Sequence, residues 1–283
     1  MQTKLWKAAA LPWSNLRLPP FPQVAVRILQ LAHDENVQMR QLCDLIATDP
    51  AFASEVLTIA NSAFYAPRQP STSIMEAIAV LGATKLQGMC LTVGIRAYLG
   101  KTMSLPALRA LWRHNLACAL ISERLADAGP IDRDLAYTSG ILHDIGRMAL
   151  AVLQPKAYAE LLESHHGPSA SILEAERNLF GLDHCEAGHQ LITSWKLPEN
   201  FAAVVVDHLS PRCPDEFWDV LEVVKMSCAM ASALGFVAFP GCEAVPFGEL
   251  LEQLPERERS KFPAEPEQLR NRLSDNIKAV ESI

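Results

Sequence analysis

The run Gly140-Ile141-Leu142-His143-Asp144-Ile145-Gly146 sets a histidine and an aspartate side by side in an apolar, glycine-flanked segment. On a helix such a pair can present two metal ligands at one place. A metal centre needs neutral imidazole and ionised carboxylate close together, and an apolar setting makes both costly to hold unless something pairs them. Two plainer roles compete: Asp144 as a carboxylate at a helix end, and His143 as a core histidine bonded to a backbone carbonyl. A His-Asp dipeptide alone does not decide between them, so the weight falls on the sequence around it.

Toward the N-terminus a helix is expected from Ser104 to about Asp127, with Leu111, His114, Cys118, Ile121 and Leu125 at three-four spacing. His114 therefore lies on the buried stripe, as a satisfied core residue or as a ligand. Capping signals recur along the chain. Asp49-Pro50 sets an N-cap before a proline at the first helical position, and Ser73-x-x-Glu76, Thr84-x-x-Gln87, Ser171-x-x-Glu174 and Asp183-x-x-Glu186 read as capping boxes. Gly82 and Gly181 are the matching stops. Alternating segments long enough for strands are absent, so the fold class is all-α.

Composition agrees with a globular chain. Of its 283 residues 49% are hydrophobic and 20% charged, enough for a sizeable core. A net charge of −7 argues against broad attraction to a phosphate backbone, so nucleic acid is not the expected partner. Seven scattered cysteines without a Cys-x-x-Cys pair suggest neither a disulfide framework nor a zinc ribbon, and a reducing cytoplasm fits them best. The N-terminal run is too short for a signal peptide, and Met226 to Cys242 falls short of the roughly 20 strongly apolar residues of a membrane span; it reads as a buried helix.

Three regions follow: a bundle of short helices over residues 1–100, entered through Leu18-Pro19-Pro20-Phe21-Pro22, a second helical lobe over 101–240, and an extension over 241–283. The helix pair around Gly82 has the outline of a helix-turn-helix, yet Lys85 to Tyr98 carries only Lys85 and Arg96 as cations. In the extension, Leu269, Leu273 and Ile277 mark an amphipathic helix docked through that face. His165-His166 precedes Gly167-Pro168 at a helix end, where it complements the helix C-terminus.

Taken in order, Leu18 to Ile28, Asp49-Pro50, Ala60-Asn61-Ser62-Ala63-Phe64-Tyr65, Ala77 to Gly82, Trp112-Arg113-His114-Asn115, Gly140 to Gly146, Gly181-Leu182-Asp183-His184, Trp195-Lys196-Leu197-Pro198 and Asp207-His208 resemble the HDOD family over about residues 16–212. The resemblance implies two helical lobes, the second related to HD-type metal phosphohydrolases, and a role in bacterial signalling rather than catalysis. Receiver, GGDEF and EAL modules often accompany this family, and none is visible in the chain.

By that resemblance His114, His143 and Asp144 correspond to the first metal ligands, and His184 and His208 to those of a second metal. Cys228 stands where the closing aspartate is expected, and Asp207 takes the first place of the usual His-His pair. A thiolate favours borderline metals such as zinc over Mg²⁺ or Mn²⁺. Cys228 also reads as a small buried hydrophobe, at helical spacing with Trp218, Leu221 and Ala231. No phosphate clamp is recognisable, and Leu209-Ser210-Pro211-Arg212 lacks the Gly-Tyr-Pro element of the related cyclic dinucleotide phosphodiesterases.

The expectation is a non-catalytic, cytoplasmic regulatory module that acts through a signalling protein partner. A receiver, GGDEF or EAL module outside the chain would suit that role, and no cofactor, nucleic acid or membrane is expected. The alternative is a metal-dependent phosphohydrolase of nucleotides or cyclic dinucleotides, with zinc or iron at the degenerate site.

Overall fold

The computed structural model describes residues 21–31, 39–62, 69–127, 131–212, 219–254, 256–263 and 265–282. The readings that fall on Leu18-Pro19-Pro20, Ala63-Phe64-Tyr65 and Trp218 lie outside them. The chain divides into two units. The first draws on residues 20–100, 195–197 and 262–283, the second on residues 101–194 and 198–261.

The first unit contains α1 (Gln23–Leu31), α2 (Met39–Ala47), α3 (Pro50–Ala60), α4 (Ile74–Leu81) and α5 (Ala83–Leu99). Asp49 Oδ1 accepts the N–H groups of Ala51 and Phe52 at 3.1 Å each, the cap expected before Pro50. Ser73 accepts from Glu76 N–H, while the Glu76 carboxylate reaches back one residue further than a capping box, to Thr72 N–H at 2.6 Å. Gly82, at φ 90°, both stops α4 and opens α5. Thr84 thus falls inside the first turn, and its expected box does not form.

Burial runs unbroken along α5 from Leu86 to Ile95, so this helix is the unit's core. Phe21 packs on Tyr98 and Trp195, with ring centroids 5.4 and 4.6 Å apart.

The second unit follows with α6 (Pro106–Ala126), α7 (Arg133–Leu142), α8 (Ile145–Leu153), α9 (Pro155–Ser164), α10 (Ile172–Phe180), α11 (His184–Ser194), α12 (Glu199–Asp207), α13 (Val220–Ala233), α14 (Phe247–Glu252) and α15 (Glu256–Arg259). Asp183 and Glu186 form the reciprocal capping box: Asp183 N–H donates to Glu186 at 2.8 Å and Glu186 N–H to Asp183 at 2.9 Å. Ser171 does not cap α10. A 3-10 turn runs straight into that helix, and the Ser171 hydroxyl bonds Pro168 O and His165 Nε2 instead. The buried helix expected over Met226 to Cys242 ends at Ala233, because Gly235 turns the chain at φ 87°. Beyond it Gly241–Cys242 pairs in parallel with His166–Gly167, the one strand pairing among the described residues.

Residues 262–283, including α16 (Pro266–Glu281), group with the first unit, and α16 buries Leu269, Leu273, Ile277 and Val280. The 241–283 extension is therefore divided between the units. Among the described residues no helix is long and apolar enough to cross a membrane.

The glycines of the 140–146 run explain how the second unit closes. A Cβ on Gly140 would stand 2.7 Å from Ala119 Cα, so α7 packs on α6 only without it. A Cβ on Gly146 would overlap the backbone carbonyl of His184, where α8 meets α11. Since that neighbour is backbone, Gly146→Ala is expected to cost about 1–3 kcal/mol or more. Urea denaturation measures this, and an unchanged midpoint would contradict the close approach.

Candidate metal centre

Six helices meet at the His-Asp pair. His143 caps the end of α7 and Asp144 the start of α8, so the pair sits at the corner between them. The Asp144 side chain accepts no backbone N–H of α8, so the role of a helix-capping carboxylate does not account for it. His114 comes from α6, His184 opens α11, His208 caps α12 and Cys228 lies within α13. The histidines and Asp144 are all buried, with Asp144 at 2% exposure, while Cys228 is half-buried.

Each imidazole is fixed by its Nδ1. In His143 it donates to Gly140 O at 2.7 Å, in His114 to Phe236 O at 2.7 Å and in His208 to Val205 O at 3.0 Å. His184 Nδ1 donates to Glu176 Oε2 at 2.5 Å, and the other Glu176 oxygen accepts from Tyr158 OH at 2.6 Å. A carbonyl can only accept, so these partners put the proton on Nδ1 and leave Nε2 as the inward nitrogen. The sequence-level role of His143 as a core histidine on a backbone carbonyl is real, and it is also what aims the other nitrogen into the site.

Nε2 of His143, His184 and His208 makes no hydrogen bond among the described residues, yet stands 3.4, 3.7 and 3.2 Å from Asp144 oxygens. Lone pairs of three imidazoles converging on a carboxylate set acceptor against acceptor, which is stable only with a proton or a cation among them. These residues therefore fit a metal. Two donor groups overlap at His143: His143, Asp144 and His208 on one side, and His114, Cys118, His143 and Cys228 on the other. A further group joins His184, Cys185 and His208. All six residues singled out in the sequence come together. Asp207 does not join them; it is exposed.

Without a metal, protons and one guanidinium balance the charge. Burial alone would raise the Asp144 carboxyl, but Arg147 and His143 outweigh it and hold Asp144 well below the usual carboxylate range. Arg147 Nε donates to Asp144 Oδ1 at 2.9 Å, and the pair is almost fully buried. Burial opposes the charge on His143, yet Cys228 and Asp144 push it well above the ordinary histidine value. A hydrogen bond from Cys118, reinforced by His143, draws the Cys228 thiol down against the effect of burial. Burial keeps His208 below its usual value, with Asp144 opposing.

A pH dependence follows. Both Asp144 and His208 titrate lower in the folded than in the unfolded chain, so the unfolded chain binds more protons in acid and stability falls with falling pH. The loss begins below about pH 6.5 through His208 and steepens below about pH 4 through Asp144. Melting temperature between pH 7 and pH 3 should show both limbs, and Asp144→Asn should shrink the lower one, leaving the share of Glu176, which, against burial, His184 holds low. An acid limb unchanged in that variant would refute the assignment.

A cleft of about 280 Å³ opens onto the site and is lined by Arg147, Ser169, Arg212, Lys225 and Cys228 among others. Lys225 and Arg212 both face Glu222, at 2.8 and 3.6 Å. Sequence reasoning missed Arg147, although Asp144-x-x-Arg147 has the spacing of a helical ion pair. It also missed Glu176 and Tyr158, which no local pattern ties to His184, and the cations of the cleft.

The HDOD domain profile matches residues 18–211, and the chain belongs to that family. An uncharacterised protein of Treponema pallidum is 25% identical over 240 residues, which cover 80% of this chain and 45% of that protein. The chain thus spans less than half the length of that relative. Among solved structures, a Marinobacter aquaeolei protein named for signal transduction matches 94% of this chain and 62% of its own, with TM-score 0.70 and 20% identity. A Shewanella amazonensis protein named for phosphohydrolase activity matches 93% of this chain and 94% of its own, with TM-score 0.65 and 20% identity. At that identity the two structures establish the shared fold.

Proposed function

We propose that this chain is a bacterial regulatory module that acts by binding a signalling protein and does not hydrolyse phosphoesters. The observation that carries the reading is the Arg147–Asp144 ion pair, closed at 2.9 Å inside the site. Arg147 supplies the positive charge that a hydrolytic centre takes from its metal. Cys228 adds a thiol where a hard-metal centre needs a carboxylate. Zinc or iron is the cation class that such donors suit. In the first unit Met39, Met75 and Val80 are exposed on α2 and α4, which supports contact with a protein partner, such as a receiver, GGDEF or EAL module on another chain.

The second reading, a phosphohydrolase of nucleotides or cyclic dinucleotides, draws on the cleft, where Lys225 and Arg212 stand beside the histidines. Phosphomonoester, phosphodiester and cyclic dinucleotide substrates, offered with Mg²⁺, Mn²⁺, Fe²⁺ or Zn²⁺, decide between the two. The regulatory reading expects no turnover above buffer. Metal-dependent turnover that vanishes in Asp144→Ala while that variant stays folded would overturn it.

A further inference from the structure

His114 and Cys118 lie one turn apart on α6, facing Cys228 on α13 and His143 at the end of α7. Their donor atoms all fall within 4.8 Å of one another. His114 Nε2 is 3.4 Å from Cys118 Sγ, and Cys118 Sγ is 3.6 Å from Cys228 Sγ. With Zn–S near 2.3 Å and Zn–N near 2.05 Å, a regular tetrahedron has N–S edges of about 3.5 Å and S–S edges of about 3.8 Å. The two measured edges are close to those values before any ion has drawn the donors together.

We propose that His114, Cys118, His143 and Cys228 form a Cys₂His₂ zinc site, with Asp144 left outside it as the partner of Arg147. The second pointer to a ligand is His143 Nε2, buried and without a hydrogen-bond partner among the described residues. Both histidines of the set are locked through Nδ1 by backbone carbonyls, the outer contact that metal-bound imidazoles make. Two thiolates neutralise the charge of Zn²⁺, so the set needs no carboxylate. Cys228 lines the cleft and gives the ion a way in. Sequence spacing brings His114 and Cys118 together, but Cys118 enters the set only because α13 packs across α6.

The inference deepens the regulatory reading and rests on it in one respect: four protein donors close the coordination sphere and leave no position for a reacting water. Cobalt is the probe. The intact protein, reduced and stripped of metal, is titrated with Co²⁺ and then with Zn²⁺. The expected result is one Co²⁺ per chain, with the intense visible bands of a tetrahedral site and thiolate charge-transfer absorption in the near ultraviolet, all removed by Zn²⁺. Cys118→Ser and Cys228→Ser should each weaken Zn²⁺ binding by more than about 100-fold, beyond the 10–100-fold lost with outer contacts. Asp144→Asn should keep the Co²⁺ spectrum.

The wild-type spectrum decides even if a cysteine variant fails to fold. No Co²⁺ bound, or Co²⁺ bound without thiolate absorption, overturns the site. So does a site lost in Asp144→Asn but kept in a folded Cys118→Ser. Phosphoester turnover is read separately and bears on the regulatory reading alone.

Discussion

Asp144→Ala is expected to lower folding stability by about 3–5 kcal/mol, the range for breaking a buried ion pair and leaving its partner's charge uncompensated. Arg147 Nε, His208 Nε2 and His143 Nε2 face this one carboxylate at 2.9, 3.2 and 3.4 Å. Its removal strands a guanidinium that is 1% exposed and cannot deprotonate. The effect therefore exceeds the roughly 1–3 kcal/mol of a single lost buried hydrogen bond. At about 2–4 °C per kcal/mol for domains of this size, the melting temperature should fall by roughly 6–20 °C. Asp144→Asn keeps the shape without the charge and should fall less. A shift under about 2 °C in Asp144→Ala would show that the pair carries no structural weight.

Arg147→Met is expected to destabilise by a similar margin, about 3–5 kcal/mol, for the opposite reason. Methionine keeps much of the aliphatic stem but leaves the Asp144 carboxylate without its guanidinium partner. The two losses share one interaction, so they should not add. In Asp144→Leu combined with Arg147→Met, neither member of the pair remains to be stranded, and most of either single loss should be recovered, a coupling that a double-mutant cycle reads directly. Strictly additive losses would mean that each residue acts through other contacts. Arg147 also has a terminal nitrogen, Nη1, without a hydrogen-bond partner among the described residues, and its guanidinium carbon lies 6.0 Å from the Phe239 ring centroid. The pair thus pays part of its own desolvation, which is why replacing both charges can restore stability.

How far the sequence reveals this molecule depends on the range of the interaction. Caps are local, and Asp49, Ser73 and Asp183 read correctly because the donor and acceptor lie within a few residues. Thr84 and Ser171 misled because the same short pattern is silent about the preceding turn, which in both cases had already set the helix start. The six site residues were legible through the order of motifs along the chain. Their chemistry was not, since it depends on Glu176 behind His184, Arg147 on Asp144 and Cys118 across from Cys228. Of these only Arg147 has a spacing that announces its partner.

The first unit is assembled from three separate stretches of chain, the last of them residues 262–283. During synthesis at about 5–20 residues per second, the ribosome delivers all of the second unit before α16 emerges. The unit that holds α1 to α5 is thus completed last. A nascent chain halted near Lys261 would carry every residue of the His-Asp site but not the helix that buries Leu269, Leu273, Ile277 and Val280.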